Sequence, residues 1–162
     1  MLSNLFKKKS KEEKVMAPVS GQLMPIDQVP DPVFSSKMMG EGIAVMPESG
    51  RVVAPVDGTV VMVANTGHAI GIRSGQGTEY LIHIGLDTVA LEGEGFNVLV
   101  RQEDKVTAGQ PLIEADWTYL GENAKSTVTP IVVTNGEGKT VQPEAEGACT
   151  AGETVIMTVT TD

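Results

Sequence analysis

From Val15 onward, apolar residues come in short runs of Val, Ile and Thr broken by Gly, Pro, Asn and Asp. Examples are Gly58-Thr59-Val60-Val61-Met62-Val63 and Val128-Thr129-Pro130-Ile131-Val132-Val133. That pattern predicts many short strands joined by tight turns. No helix-period stretch exceeds about two turns. The expected fold is therefore all-β, an antiparallel sandwich or barrel, with one or two short helices. Pro32 to Lys37 and Trp117 to Ala124 are the predicted helices, the second behind Asp116 as its N-cap.

Two pairs of segments repeat. Ala17-Pro18-Val19-Ser20-Gly21 returns as Ala54-Pro55-Val56-Asp57-Gly58, and Thr107-Ala108-Gly109-Gln110-Pro111-Leu112-Ile113 returns as Thr150-Ala151-Gly152-Glu153-Thr154-Val155-Ile156. Each is a turn leading into a strand, with glycine supplying backbone angles that other residues avoid. An internally duplicated β architecture follows.

Two histidines interrupt this regular pattern, each inside an apolar run: Thr66-Gly67-His68-Ala69-Ile70 and Leu81-Ile82-His83-Ile84-Gly85-Leu86-Asp87. A lone histidine in such a run is ordinarily a satisfied core residue. Strand alternation, however, sets Leu81, His83 and Gly85 on one face and Ile82, Ile84 and Leu86 on the other. If the second set fills the core, His83 faces outward. The Gly85 carbonyl could then accept from one ring nitrogen and leave the other free to react. Thr66 stands two residues before His68, where its hydroxyl could orient that ring. Two imidazoles and a hydroxyl among small residues suit phosphoryl transfer, one nitrogen attacking phosphorus while the other groups steady its oxygens. The chain lacks a Gly-x-x-x-x-Gly-Lys-Ser/Thr loop, so a nucleotide-dependent kinase is not expected.

Composition narrows the setting. With 162 residues the chain fits one domain, large enough to bury about 70% of its unfolded surface. A formal net charge of -9, with the clustered lysines confined to the first 14 residues, argues against nucleic acid. An acidic body suits a basic protein partner. Cys149 is the single cysteine, and the expected compartment is the reducing cytoplasm. Residues 1 to 14 form a separate lysine-rich segment, with Leu2, Leu5 and Phe6 spaced to share a helix face. Such a segment is either a solvated tail or a weak, reversible membrane-surface contact. Its apolar residues precede its lysines, the reverse of a secretory signal, so export is not expected.

Several ordered stretches carry a family likeness. Val29-Pro30-Asp31-Pro32-Val33-Phe34, Met39-Gly40-Glu41-Gly42-Ile43-Ala44, Val53-Ala54-Pro55-Val56-Asp57-Gly58-Thr59, His83-Ile84-Gly85-Leu86-Asp87-Thr88-Val89, Glu92-Gly93-Glu94-Gly95-Phe96 and Ala124-Lys125-Ser126-Thr127-Val128-Thr129-Pro130 resemble the glucose-type enzyme IIA of the bacterial phosphoenolpyruvate-dependent phosphotransferase system. The likeness runs from about residue 15 to the end, which makes residues 15 to 162 the expected enzyme IIA phosphocarrier domain. It implies a carrier that takes a phosphoryl group from phospho-HPr and passes it to a cysteine on the IIB domain of a sugar permease, with no cofactor. Such a carrier is cytoplasmic and meets the membrane through its partner.

By the same resemblance His83 is the phosphorylated nucleophile and His68 the residue that hydrogen-bonds the phosphoryl group. Thr66 orients His68, the Gly85 carbonyl orients His83, and Asp87 is a carboxylate beside the site. The partner-binding face falls at Val33, Phe34, Met38, Met39, Ala64 and Leu81. Where some relatives have aromatic residues this chain has Ala64 and Leu81, while Met38 and Met39 offer pliable thioethers suited to more than one partner.

Two other readings of the residues compete. His68, His83 and a carboxylate such as Asp87 could hold zinc, yet spacing singles out no third protein ligand and no His-Glu-x-x-His motif occurs. No metal is required, although paired imidazoles could take up adventitious zinc. A biotinyl or lipoyl carrier, suggested by the Ala-Pro-Val repeats and Lys37, would need that lysine at a tight hairpin tip.

Overall fold

The computed structural model describes residues 11–162. Its strands are β1 (Glu12–Met16), β2 (Ser20–Pro25), β3 (Glu41–Ser49), β4 (Val52–Val53), β5 (Gly58–Val63), β6 (Ala69–Ser74) and β7 (Glu79–His83). They continue as β8 (Phe96–Val98), β9 (Lys105–Val106), β10 (Pro111–Ala115), β11 (Thr129–Val133), β12 (Lys139–Pro143), β13 (Ala148–Cys149) and β14 (Val155–Thr161). One sheet has eight strands in the order β13-β2-β3-β11-β7-β6-β5-β9. Two smaller sheets, β1-β14-β12 and β4-β10-β8, complete the set, and every pairing is antiparallel. The all-β expectation holds, as a sandwich-like packing of open sheets and not as a closed barrel.

Period-two alternation divides the large sheet into two apolar faces. Ile43, Val45, Ile70, Ile72, Tyr80, Ile82, Ile131 and Val133 enter the main core, where they meet Val15, Leu112, Ile156, Met157 and Val159. The alternate residues Ala44, Ala69, Leu81 and Val132 lie on the opposite face, under Ile26, Val29 and Phe34. The histidines belong to this second, thinner layer.

The repeated segments meet each other. Met16 N–H donates to Pro55 O at 2.9 Å, and Val53 N–H donates to Pro18 O at 2.7 Å. Gly152 N–H likewise donates to Ala17 O at 2.9 Å, as Gly109 N–H does to Ala54 O at 2.8 Å. Equivalent residues of the two copies thus satisfy one another's backbone around a local pseudo-twofold.

Both short helices form, a little shorter than predicted: Pro32–Ser35 and Trp117–Asn123. Asp31 caps the first by accepting from Val33 N at 2.9 Å, with proline in its first turn. Asp116 caps the second, accepting from Tyr119 N at 3.0 Å. Sheet structure begins at Glu12, so Glu12 to Lys14, grouped by sequence with the lysine-rich segment, pair with β14. Residues 1 to 10 of that segment, including Leu2, Leu5 and Phe6, lie outside the described residues. Lys37 follows the first helix and pairs with Glu41 at 3.1 Å; it does not occupy a hairpin tip.

Candidate functional site

β6 and β7 set the two histidines side by side. Their register pairs Ala69 with His83, and Ile84 N–H donates to the His68 carbonyl at 2.7 Å. His68 itself sits just before β6, at the end of a turn in which Gly67 takes a φ of 74° and donates to Ala64 O at 2.8 Å. The imidazole centroids are 4.9 Å apart and nearly perpendicular, at 78°. Phe34 also packs against His83, with ring centroids 5.2 Å apart.

Each ring is held through Nδ1. The Gly85 carbonyl lies 2.8 Å from His83 Nδ1. A carbonyl can only accept, so His83 carries its proton on Nδ1, and Nε2 is left with a free lone pair. Thr66 Oγ1 makes a hydrogen bond with His68 Nδ1. When the hydroxyl donates, the His68 proton moves to Nε2, where it can serve a negatively charged oxygen.

Burial lowers the pKa of both groups. For His83 desolvation dominates, partly offset by the Gly85 carbonyl and by the negative charges of Asp31 and Asp87. For His68 desolvation is joined by repulsion from His83. Both rings are therefore neutral near pH 7, the state in which imidazole is a nucleophile. Among the described residues, no three His, Cys, Asp or Glu side chains converge as metal ligands.

The five residues expected at the centre come together. Asp87 is exposed, in the left-handed region at φ 57°, and its charge acts on His83. Gly85 ends the strand alternation with a φ of 77°. One expectation fails there: Leu86 does not join Ile82 and Ile84 in the main core but turns into the thin layer with Leu81 and Phe34. The expected partner face divides by depth. Val33, Met38 and Met39 are exposed, Met38 by 77%, and Ala64 is half-buried. Phe34 and Leu81 are buried beneath them and form a floor.

Sequence reading did not assign Asp31, Met62 and Val89 to this face. Met62 and Val89 are exposed apolar side chains; Met62 lies in register with Gly71, which in turn pairs with Leu81. The Asp-Pro pair before an apolar residue is a helix-start signal that could have marked Asp31 as a cap. The action of its charge on His83 carries no such signal, because it depends on how that helix docks. A groove of about 790 Å³ lies elsewhere, bounded by Leu23, Ile26, Glu41, Val141 and Glu146, and neither histidine lines it.

Comparison with known proteins is specific. Residues 13–140 match the family model described as phosphoenolpyruvate-dependent sugar phosphotransferase system, EIIA 1. A glucose-specific EIICBA component from Staphylococcus carnosus is 53% identical over 143 residues, covering 88% of this chain; the chain spans only 21% of that protein. A glucose-specific EIIA component from Bacillus cereus is 48% identical over 153 residues, covering 94% of this chain and 93% of that protein. Among solved structures, the glucose permease IIA from Mycoplasma capricolum superposes with a TM-score of 0.87 at 39% identity, covering 91% of this chain and 96% of that one.

Proposed function

Because the chain belongs to the EIIA 1 family of the phosphoenolpyruvate-dependent sugar phosphotransferase system and is a phosphocarrier of that system, we propose that its two histidines divide the labour of one phosphoryl transfer. His83 Nε2 attacks phosphorus in line, forming a new N–P bond as the bond to the donor's histidine breaks. His68 Nε2–H then binds a phosphoryl oxygen, with Thr66 holding that ring in the required tautomer. The observation that carries this assignment is the bond from His83 Nδ1 to the Gly85 carbonyl, which fixes which nitrogen is free.

Phospho-HPr is the donor and the IIB domain of a glucose-type permease the acceptor. Relatives named glucose-specific support this choice, one of them joining C, B and A in a single name. Transfer to a IIB cysteine forms an S–P bond as the His83 N–P bond breaks. Asp31 and Asp87 act on His83 through their negative charge, and the same charge repels a phosphoryl dianion on that ring and favours its departure to the acceptor.

Val33, Met38 and Met39 dock both partners over the floor of Phe34 and Leu81, with Ala64 at its margin. Exposed, flexible thioethers adapt to two different surfaces. The carrier works in the cytoplasm, in a domain extending from about residue 15 to 162. The lysine-rich segment before it adds at most a weak membrane-surface contact.

Incubation with phosphoenolpyruvate, enzyme I and HPr adds one acid-labile phosphoryl group, at His83. His83→Ala abolishes labelling. His68→Ala accepts phosphate but passes it on poorly, by a factor of about 100 or more. Full transfer by the His68 variant would refute the assigned roles.

A further inference from the structure

Four hydrogen bonds commit backbone groups of the three residues after His83. Ile84 N–H donates to His68 O at 2.7 Å, and Ile84 O accepts from Thr88 Oγ1 at 2.6 Å. Gly85 O accepts from His83 Nδ1 at 2.8 Å, and Leu86 N–H donates to Ser126 O at 2.9 Å. The Gly85 carbonyl and the Leu86 N–H belong to one rigid peptide plane. That plane is strung between the reactive ring on one side and Ser126 on the other. The preceding plane, carrying the Ile84 carbonyl, is fixed by Thr88.

Thr88 is fully buried and makes two contacts that bear on Gly85. Its hydroxyl holds the carbonyl immediately before Gly85. Its methyl lies so close that a Cβ on Gly85 would come within 2.6 Å of it. A side chain that only filled space could be apolar, whereas this one donates to the single backbone oxygen that sets the entry angle of Gly85. The φ of Gly85, 77°, is reached between that anchored plane and the one held by Ser126.

We propose that Thr88 is a positioning residue for phosphoryl transfer. It acts through the Ile84 and Gly85 backbone to hold the carbonyl that fixes the tautomer and orientation of His83. This rests on His83 being the phosphorylated residue. Thr88 does not touch the phosphoryl group; it decides where Nε2 points and that Nε2 is unprotonated. Loss of the hydroxyl frees the Ile84–Gly85 plane, lengthens the His83 bond and lets the ring sample the other tautomer, whose Nε2–H cannot attack.

The test is a graded series in the full chain: Thr88→Ser keeps the donor, Thr88→Cys weakens it, and Thr88→Val removes it at nearly constant volume. Two readouts are taken on each. Nitrogen-15 NMR of the imidazoles reports the His83 tautomer and its titration midpoint. Rapid-quench kinetics report the first-order rate of transfer from phospho-HPr across pH. The expected order is wild type, Ser, Cys, Val, with Val slowed by about tenfold or more. Its His83 Nδ1–H signal should weaken, and its midpoint should fall because the carbonyl that favours the charged ring is lost.

If Thr88→Val fails to fold, the contrast between Ser and Cys decides. Unchanged tautomer and rate along the series would overturn the proposal. Equal impairment of Ser and Val would also overturn it, since the methyl and not the hydroxyl would then matter. A tautomer that shifts as expected in a protein whose His83 never takes up phosphate would leave the clamp standing and refute the phosphorylation assignment instead.

Discussion

At the scale of single residues, the site is governed by proton affinity. Both histidines have their pKa lowered in the folded chain, chiefly by burial. The unfolded chain, with a pKa of about 6.5, therefore takes up protons first as pH falls. Stability from the neutral rings is complete above that value and is lost on acidification below it. Urea unfolding midpoints are expected to fall between pH 7.5 and 5.5, and to fall less in a His68→Gln, His83→Gln double variant. An equal slope in the two proteins would contradict this sign. Asp31→Asn separates charge from structure, because asparagine caps a helix about as well as aspartate. His83 should then titrate at a lower pH by NMR, with thermal stability almost unchanged. No movement would mean that the Asp31 charge is too well solvated to matter.

At the scale of elements, the signals that survived folding were local ones. Asp116 announced its helix, and the helix forms with Asp116 accepting from Tyr119 N, Leu120 fully buried and Trp117 Nε1 donating to Gly50 O at 2.8 Å. Asp116→Ala should cost about 1 kcal/mol in chemical denaturation, by loss of the cap. Phosphoryl transfer should be unaffected, since that helix does not touch the histidines; a slowed carrier would reveal an unexpected connection. The strand bearing His83 was equally legible up to His83 itself. Leu86 was misplaced because alternation was carried across Gly85, where a left-handed residue reverses which side the chain faces. Phe34 and Leu81 were placed on the partner face by the family resemblance, which gives positions along the chain and not depth. Depth, which decides between floor and rim, depends on what packs above them.

At the scale of the molecule, duplication was visible as repeated words. Its meaning, an exchange of backbone hydrogen bonds between the copies, required both copies in place. The chain also closes on itself: β1 pairs with β14, Thr161 N–H donates to Lys11 O at 3.0 Å, and Tyr80 of β7 reaches across to Glu13 at 2.6 Å. Joining Asp162 to Lys11 through a short glycine linker and opening the chain between Gly75 and Gln76, in an exposed turn, should give a permuted protein that folds and still takes label at His83. An insoluble or unlabelled permutant would show that the order of synthesis matters to the fold.

Closure by the final strand sets a timetable for the cell. β1 leaves the ribosome early, but its partner is made nearly the whole domain later. At about 5–20 residues per second that interval is on the order of ten seconds. Throughout it the edge of β1 is unpaired and Val15, which ends with no exposure at all, faces water. The earliest described strand of the domain is thus the last to be satisfied, and the nascent domain stays vulnerable to aggregation and to chaperone capture until its translation is complete.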